Sequence, residues 1–257
     1  MKLKFLGTSS GKTSAKRNHS SLFFSTENYN LLIDAGDGIS RALLKNKINF
    51  ISIDGIIFTH LHPDHYSGLA SLIVQMKLLK RVKPLDIFIH QKLIQIIKQF
   101  LLHSYIVNER LGFEIQYKPF ETENLINIYD DFSFTAKKNS HLDNLKDYTS
   151  KFNDLIPISI SLLFKLRNKK IIYTSDIASE DDLLLFNEIS PDIMVAEATH
   201  IPIKTLIKKL QALQSGITYL THYSDEDESR ISDILAKQFK ETGIRIKIAK
   251  DGLSLKL

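Results

Sequence analysis

Apolar positions along this chain follow two rhythms. Short β-branched and aromatic runs alternate with longer stretches in which apolar residues recur every three or four positions. The first half predicts strands at Leu3 to Leu6, Ser20 to Ser25 and Asn30 to Asp34, the last entering the turn Asp34-Ala-Gly-Asp-Gly38. A helix from Ile39 to about Asn46 leads to an apolar strand, Gly55 to Thr59. Asp64 or a neighbour then caps a helix on which Leu69, Leu72, Ile73, Met76 and Leu79 keep helical spacing. A strand near Leu85 to Ile89 and a helix from Gln91 to about Ser104 follow. The second half predicts strands near Phe113 to Lys118, Phe132 to Lys137, Ile158 to Leu166, Lys170 to Thr174, Ile193 to Ala196 and Ile217 to Thr221. Helices are expected around Ile203 to Leu213 and Glu226 to Phe239, with two strands closing the chain. Early meanders and later strand–helix alternation indicate an α/β protein of mixed sheets covered by helices, without an internal linker, so 1–257 is expected to be one domain.

Composition narrows the class. The chain has 257 residues, 43% hydrophobic and 25% charged, which excludes a disordered or collagenous protein and is enough to bury a large core. Cysteine is absent, excluding a disulfide framework, a thiolate metal site and a cysteine nucleophile. The opening MKLKFLGTSSGK has too short an apolar run for a signal peptide and no stretch is apolar enough to span a membrane, so a cytoplasmic location is expected. The net charge of +5 mildly favours a phosphate-bearing partner.

The densest chemistry is Thr59-His60-Leu61-His62-Pro63-Asp64-His65, directly after an apolar strand. In an extended segment His60 and His62 project to one side, while Asp64 and His65 fall at the turn into a helix. Imidazole with carboxylate suits zinc, manganese or iron. Further ligands are then expected at other strand ends, and His141, Asp176 and His222 each follow an apolar run. Taken singly, each is also an ordinary turn residue. A carboxylate such as Asp176 is able to bridge two cations roughly 3.5 to 4 Å apart. Phe58-Thr59-His60 and Leu220-Thr221-His222 echo one another as strand ends.

These residues resemble the HxHxDH signature of the metallo-β-lactamase superfamily, over nearly the whole chain from Phe5-Leu-Gly-Thr8 to Lys250-Asp-Gly252. Within it the chain is most similar to ribonuclease Z, which trims tRNA precursors at their 3′ end, and its phosphodiesterase relatives. The resemblance implies a four-layer αββα sandwich holding two divalent ions, zinc first and manganese or iron as alternatives. His60, His62 and His141 would hold one ion, Asp64, His65 and His222 the other, with Asp176 between them. Asp34 would orient a ligand histidine. Glu197-Ala-Thr199 is similar to the family's His-Glu-Ala-Thr segment, with Ala196 in place of the histidine. His200, partnered by Glu197, matches a later histidine thought to give a proton to the leaving oxygen. The implied chemistry is hydrolysis of a phosphodiester by a metal-activated water that Asp64 orients, with His200 as general acid and loop hydroxyls at Thr8, Ser9 or Ser10 near the phosphoryl oxygens. Otherwise His200 caps the helix begun by Pro202 and Glu197 is a structural carboxylate. Lys12, Lys16 and Arg17 form either a solvated turn or a phosphate clamp; His19, His90 and His103 are structural or surface residues.

One departure bears on substrate. Bacterial ribonuclease Z typically carries a long Gly- and Pro-containing arm between the positions of His141 and Asp176, and this chain has no glycine between Gly112 and Gly216. Asp143 to Ile156 is too short a loop for such an arm. RNA or tRNA and a small or cyclic phosphodiester thus both stand as substrates. A thioesterase or lactonase on the same centre, and a metal-binding module without turnover, are the competing functions. Relatives are commonly homodimers, and the helix face from Leu69 to Leu79 is a candidate interface.

Overall fold

The structure, a computed structural model, describes residues 1–213, 215–242 and 245–257, with side chains at all of these except 238–242. The chain divides into two units, Met1–Glu121 with Asp251–Leu257, and Thr122–Lys250. It therefore leaves the first unit once and returns to it for its last strand.

The first unit contains β1 (Lys2–Gly7), β2 (Ser21–Ser25), β3 (Asn30–Ile33), β4 (Gly55–Ile57), β5 (Leu85–His90), β6 (Ile115–Phe120) and the returning β14 (Ser254–Lys256). They form a seven-stranded sheet in the order β14-β1-β2-β3-β4-β5-β6. Pairing is antiparallel from β14 through β3 and parallel from β3 through β6. β3 and β4 read Asn-Leu-Leu-Ile and Gly-Ile-Ile, nearly uniform apolar runs, as central strands covered on both faces require. Helices α1 (Ile39–Lys45), α2 (Pro63–Tyr66), α3 (Leu69–Leu78) and α4 (Ile94–His103) occupy the crossovers. On α3, Leu69, Leu72, Ile73 and Met76 are fully buried, so the face considered as an interface is core at these positions.

The second unit contains β7 (Leu125–Tyr129), β8 (Phe132–Lys138), β9 (Ile160–Leu166), β10 (Lys169–Tyr173), β11 (Ile193–Glu197), β12 (Ile217–Thr221) and β13 (Ile246–Ile248), with α5 (Ile203–Ala212) and α6 (Asp227–Thr242). Its seven-stranded sheet runs in sequence order, antiparallel from β7 to β10 and parallel from β10 to β13. Leu206, Ile207 and Leu210 of α5 pack with Ile172, Met194, Ala196 and Leu220 from the strands and Ile231 of α6. Both units are thus α/β, each with an antiparallel half and a parallel half.

Three local expectations differ from the structure. β7 is an additional strand, missed because its alternating exposed and half-buried positions lie in a short, Asn-containing run at a sheet edge. Asp64 is not at a cap position: Pro63 starts the one-turn α2, with His62 at the cap position, and α3 starts afresh after Gly68. The segment Asp143–Tyr148, read as loop, is a 3₁₀ turn.

Candidate metal centre

Parallel strands deliver side chains at their carboxyl ends, and both units use those ends for polar residues. In the first unit β3 runs into Asp34 and β4 into Thr59 and His60. In the second, β10 runs into Ser175 and Asp176, β11 ends in Glu197, and β12 runs into His222. Asp34, Ser175 and His222 have φ values of 59°, 54° and 54°, a left-handed step that ends each strand and redirects the chain. Such backbone is costly for residues other than glycine and concentrates where the side chains have a task.

Asp34 organises the first unit's set. Its carboxylate accepts from Thr59 N and Thr59 Oγ1, each at 2.9 Å, and lies 2.8 Å from His65 Nδ1. Thr59 Oγ1 in turn lies 3.1 Å from His60 Nδ1. With Nδ1 of both rings engaged in this chain, Nε2 of each is the nitrogen presented as a ligand. His60 Nε2 stands 3.1 Å from His62 Nδ1, and Asp64 Oδ2 is 3.4 Å from His65 Nε2. Two ligand atoms about 2.0–2.1 Å from a tetrahedral zinc lie roughly 3.3 Å apart, so the donor chemistry and spacing suit such an ion. His60 and His65 are fully buried. Burial pushes the Asp34 carboxyl above its ordinary range, and the His65 ring and the Thr59 donors draw it back.

Backbone contact holds this set in place. Ala35 N donates to His65 O at 2.6 Å and Gly68 N to Ala35 O at 2.9 Å. A Cβ on Gly36 would lie 1.7 Å from Asp64 O, and one on Gly68 2.1 Å from Gly36 O, so only glycine permits this approach. In the opening loop, Thr8 Oγ1 donates to Asp251 near the end of the chain and Ser9 Oγ donates to Lys12 O within the loop.

The second unit brings together His141, Asp176, His222, Glu197 and His200. Asp176 Oδ2 lies 3.7 Å from His141 Nε2 and 3.2 Å from His222 Nε2, again a mixed imidazole and carboxylate set at ligand spacing. Glu197, almost wholly buried, accepts from Thr199 N at 2.6 Å and His200 N at 3.1 Å, and lies 3.2 Å from His200 Nδ1. The ring of His200 packs 4.7 Å from His141 and 5.7 Å from His222, centroid to centroid, and keeps 35% of its side-chain surface exposed. His200 does not cap the next helix: α5 begins at Ile203, with Pro202 at the cap position and no side-chain cap. His19, His90 and His103 take no part in these sets; His19 meets Ser10 O and His90 accepts from Lys92 N.

Two polar residues close to the second set were not singled out in the sequence. Asn139 Oδ1 accepts from His141 N, and Asn139 Nδ2 donates to Ser161 Oγ and Thr174 O. Asp182 accepts from Ser140 and from the residues after Asp176. Only the Ser179-Glu-Asp-Asp182 capping pattern hinted at the latter.

Two mixed sheets with His and Asp clusters able to hold metal ions accord with the metallo-β-lactamase superfamily, and the chain's sequence and structural relatives place it there as ribonuclease Z-like. The fold is that of the metallo-β-lactamase fold protein YhfI from Bacillus subtilis, whose crystal structure matches with a TM-score of 0.77 over 99% of this chain and 98% of that one at 18% identity. The family profile described as Anti-Pycsar protein Apyc1 matches residues 1–244, and the chain belongs to that family. The Anti-Pycsar protein Apyc1 of Bacillus phage vB_BsuM-Goe3 is 24% identical over 263 residues, 95% of this chain and 97% of that protein. Ribonuclease Z from an Exiguobacterium species is 32% identical over 141 residues, 55% of this chain and 46% of that protein. The match takes in 28%, 46% and 61% of three ribonuclease Z relatives, so the chain spans about half the length of these, and 83% of the ribonuclease Z of Thermoplasma acidophilum.

Proposed function

We propose that the protein is a metal-dependent phosphodiester hydrolase, with 1–257 working as one domain and a small or cyclic phosphodiester as its substrate. The observation that carries this reading is the Glu197–His200 pair beside His141 and His222: a held, half-exposed imidazole next to a ligand set is what leaving-group protonation requires. His60, His62 and His141 would hold one divalent ion, Asp64, His65 and His222 a second, with Asp176 serving both. Zinc is the expected ion, and manganese and iron suit the same donors. Such ions, when bound, supply Lewis acidity that lowers the pKa of a water and offsets charge on phosphoryl oxygens. The chain's own part is positional. Asp64 orients the attacking water or takes its proton, Glu197 holds Nδ1 of His200, and His200 Nε2 gives a proton to the departing oxygen.

Two features favour a small substrate over precursor tRNA. The chain and the phage Apyc1 protein match over 95% and 97% of their lengths, while the matches to ribonuclease Z relatives take in between 28% and 83% of theirs. The segment between His141 and Asp176 holds a short 3₁₀ turn and two strands, leaving no room for a long arm. A cytoplasmic location belongs to the same reading and agrees with the lack of cysteine; no described helix is long and apolar enough to cross a membrane. A homodimer, tested by sedimentation, completes it.

The test is hydrolysis of bis(p-nitrophenyl) phosphate, a 3′,5′-cyclic mononucleotide and a 3′-extended precursor tRNA by zinc-loaded protein, beside Asp64→Ala and His200→Ala. Turnover of the first two substrates, lost in both variants, is expected. Cleavage of the tRNA alone would replace the small-substrate reading with tRNA processing. Turnover of thioesters or lactones alone would replace phosphodiester hydrolysis altogether.

A further inference from the structure

We propose that Asp182, which lies outside both ligand sets, is a positioning residue that holds His141 and Asp176 in register; the inference rests on the metal-centre reading. The two residues sit on separate loops. His141 follows β8 and Asp176 follows β10, and β9 runs between those strands in the sheet. Their side chains nevertheless meet at 3.7 Å. A contact between two loop residues lasts only if the loops themselves are tied together.

Asp182 supplies that tie with one buried carboxylate. Oδ1 accepts from Ser140 N at 3.0 Å and Oδ2 from Ser140 Oγ at 2.6 Å, so both oxygens grip the residue immediately before His141. Oδ2 also accepts from Ala178 N and Ser179 N, both at 3.2 Å, on the stretch that follows Asp176. The residue is 8% exposed, so these donors have little access to water as a substitute. Asn139 completes the hold from the other side, accepting from His141 N while donating to Thr174 O at the end of β10. The loop from 139 to 141 is thereby fastened both to the sheet and to the 3₁₀ turn Glu180–Leu184. A capping aspartate needs none of the Ser140 bonds. Those bonds set the distance between two ligand side chains, and partners of this kind typically change metal affinity about 10- to 100-fold when removed.

The Ser179 side chain separates capping from positioning, because its hydroxyl caps the start of the 3₁₀ turn, accepting from Asp181 N, while the Ser140 bonds go to Asp182. The experiment is calorimetric titration of the metal-free full chain with Zn²⁺, and of Co²⁺ by its visible absorption, in the wild type, Asp182→Ala, Ser140→Ala and Ser179→Ala, with Tm measured for each metal-free form. Asp182→Ala is expected to weaken at least one metal-binding step about 10-fold or more and to alter the Co²⁺ spectrum. Ser140→Ala, which removes a single donor and suits the test even if Asp182→Ala fails to fold, should show a smaller change in the same sense. Ser179→Ala should lower Tm and leave both readouts unchanged. Wild-type affinity and spectrum in Asp182→Ala and Ser140→Ala would overturn the inference while leaving the metal centre standing. A wild-type chain that binds no divalent ion would overturn the metal reading and this inference with it.

Discussion

Asp34 lies 2.8 Å from His65 Nδ1, and the same carboxylate receives the amide and the hydroxyl of Thr59, 25 residues further along the chain. One side chain at the end of β3 thus governs both ends of the histidine-rich segment that follows β4. Through Thr59 it reaches His60 as well, so two imidazoles take their orientation from one buried acid.

Removing that acid should therefore cost stability and metal binding together. Asp34→Ala leaves the buried His65 Nδ1 and Thr59 N without their acceptor, at about 1–3 kcal/mol for a buried group left unsatisfied. We expect a loss of about 2–3 kcal/mol in chemical denaturation and roughly 10- to 100-fold weaker zinc binding by titration. Normal metal affinity in a destabilised variant would show that Asp34 supports the fold alone.

Gly36 tests the same segment through space. A methyl group there would fall 1.7 Å from Asp64 O, a distance no rotamer relieves because both atoms are backbone-fixed. Gly36→Ala should destabilise the protein by more than about 3 kcal/mol or prevent folding, measured by Tm and soluble yield. Gly38→Ala, which meets nothing within 4 Å but sits at φ 76°, should cost only about 1 kcal/mol of backbone strain.

His200 and Glu197 should behave as one device. His200→Ala and Glu197→Gln are each expected to lower kcat about 10²- to 10⁴-fold with metal content unchanged. The double variant should be no slower than His200→Ala, since groups acting in series are not additive. Additive losses would separate their roles, and loss of bound metal in either variant would place that residue among the ligands.

Away from the site, Tyr29 carries a pH signature. Its hydroxyl donates to Asp86 at 2.7 Å, and burial, followed by the neighbouring carboxylate, raises its pKa above the ordinary tyrosine value. A raised folded-state value means the native protein keeps this proton when the unfolded chain has lost it. Its contribution is therefore complete below about pH 10 and declines as pH climbs beyond that. Tyr29→Phe should be less stable at neutral pH and should show a shallower fall in Tm between about pH 9 and 11. Parallel Tm curves would mean that Tyr29 ionises as freely in the native state as in the unfolded one.

Metal removal should act on stability as well as activity. An ion that binds only the native state stabilises it by about 2.7 kcal/mol at a free concentration one hundred times Kd. Exhaustive chelation should lower Tm accordingly, and titrating zinc back should restore it in proportion to occupancy. A Tm indifferent to zinc would argue against a resident ion.

The sequence by itself determined a good deal of this. The apolar runs are long enough, and their periods distinct enough, that most strands and helices lie within a few residues of their expected positions. His60-Leu-His62-Pro-Asp64-His65 stood out as a candidate metal segment, and its residues do lie in His and Asp clusters, because short spacing after a strand is a local property. What spacing does not encode is contact across the chain. Asp182 gripping Ser140 and Asn139 reaching Thr174 arise from strand order and from the turns that follow β8 and β10. Edge strand β7 escaped the pattern because a half-exposed strand lacks the continuous apolar run that burial imposes. Asp64 looked like a helix cap for want of knowing that Gly36 and Ala35 already hold its turn from the other side. Residue type and period are fixed by the nearest neighbours in sequence; which donor meets which acceptor is settled only when each sheet forms and buried polar groups must find partners.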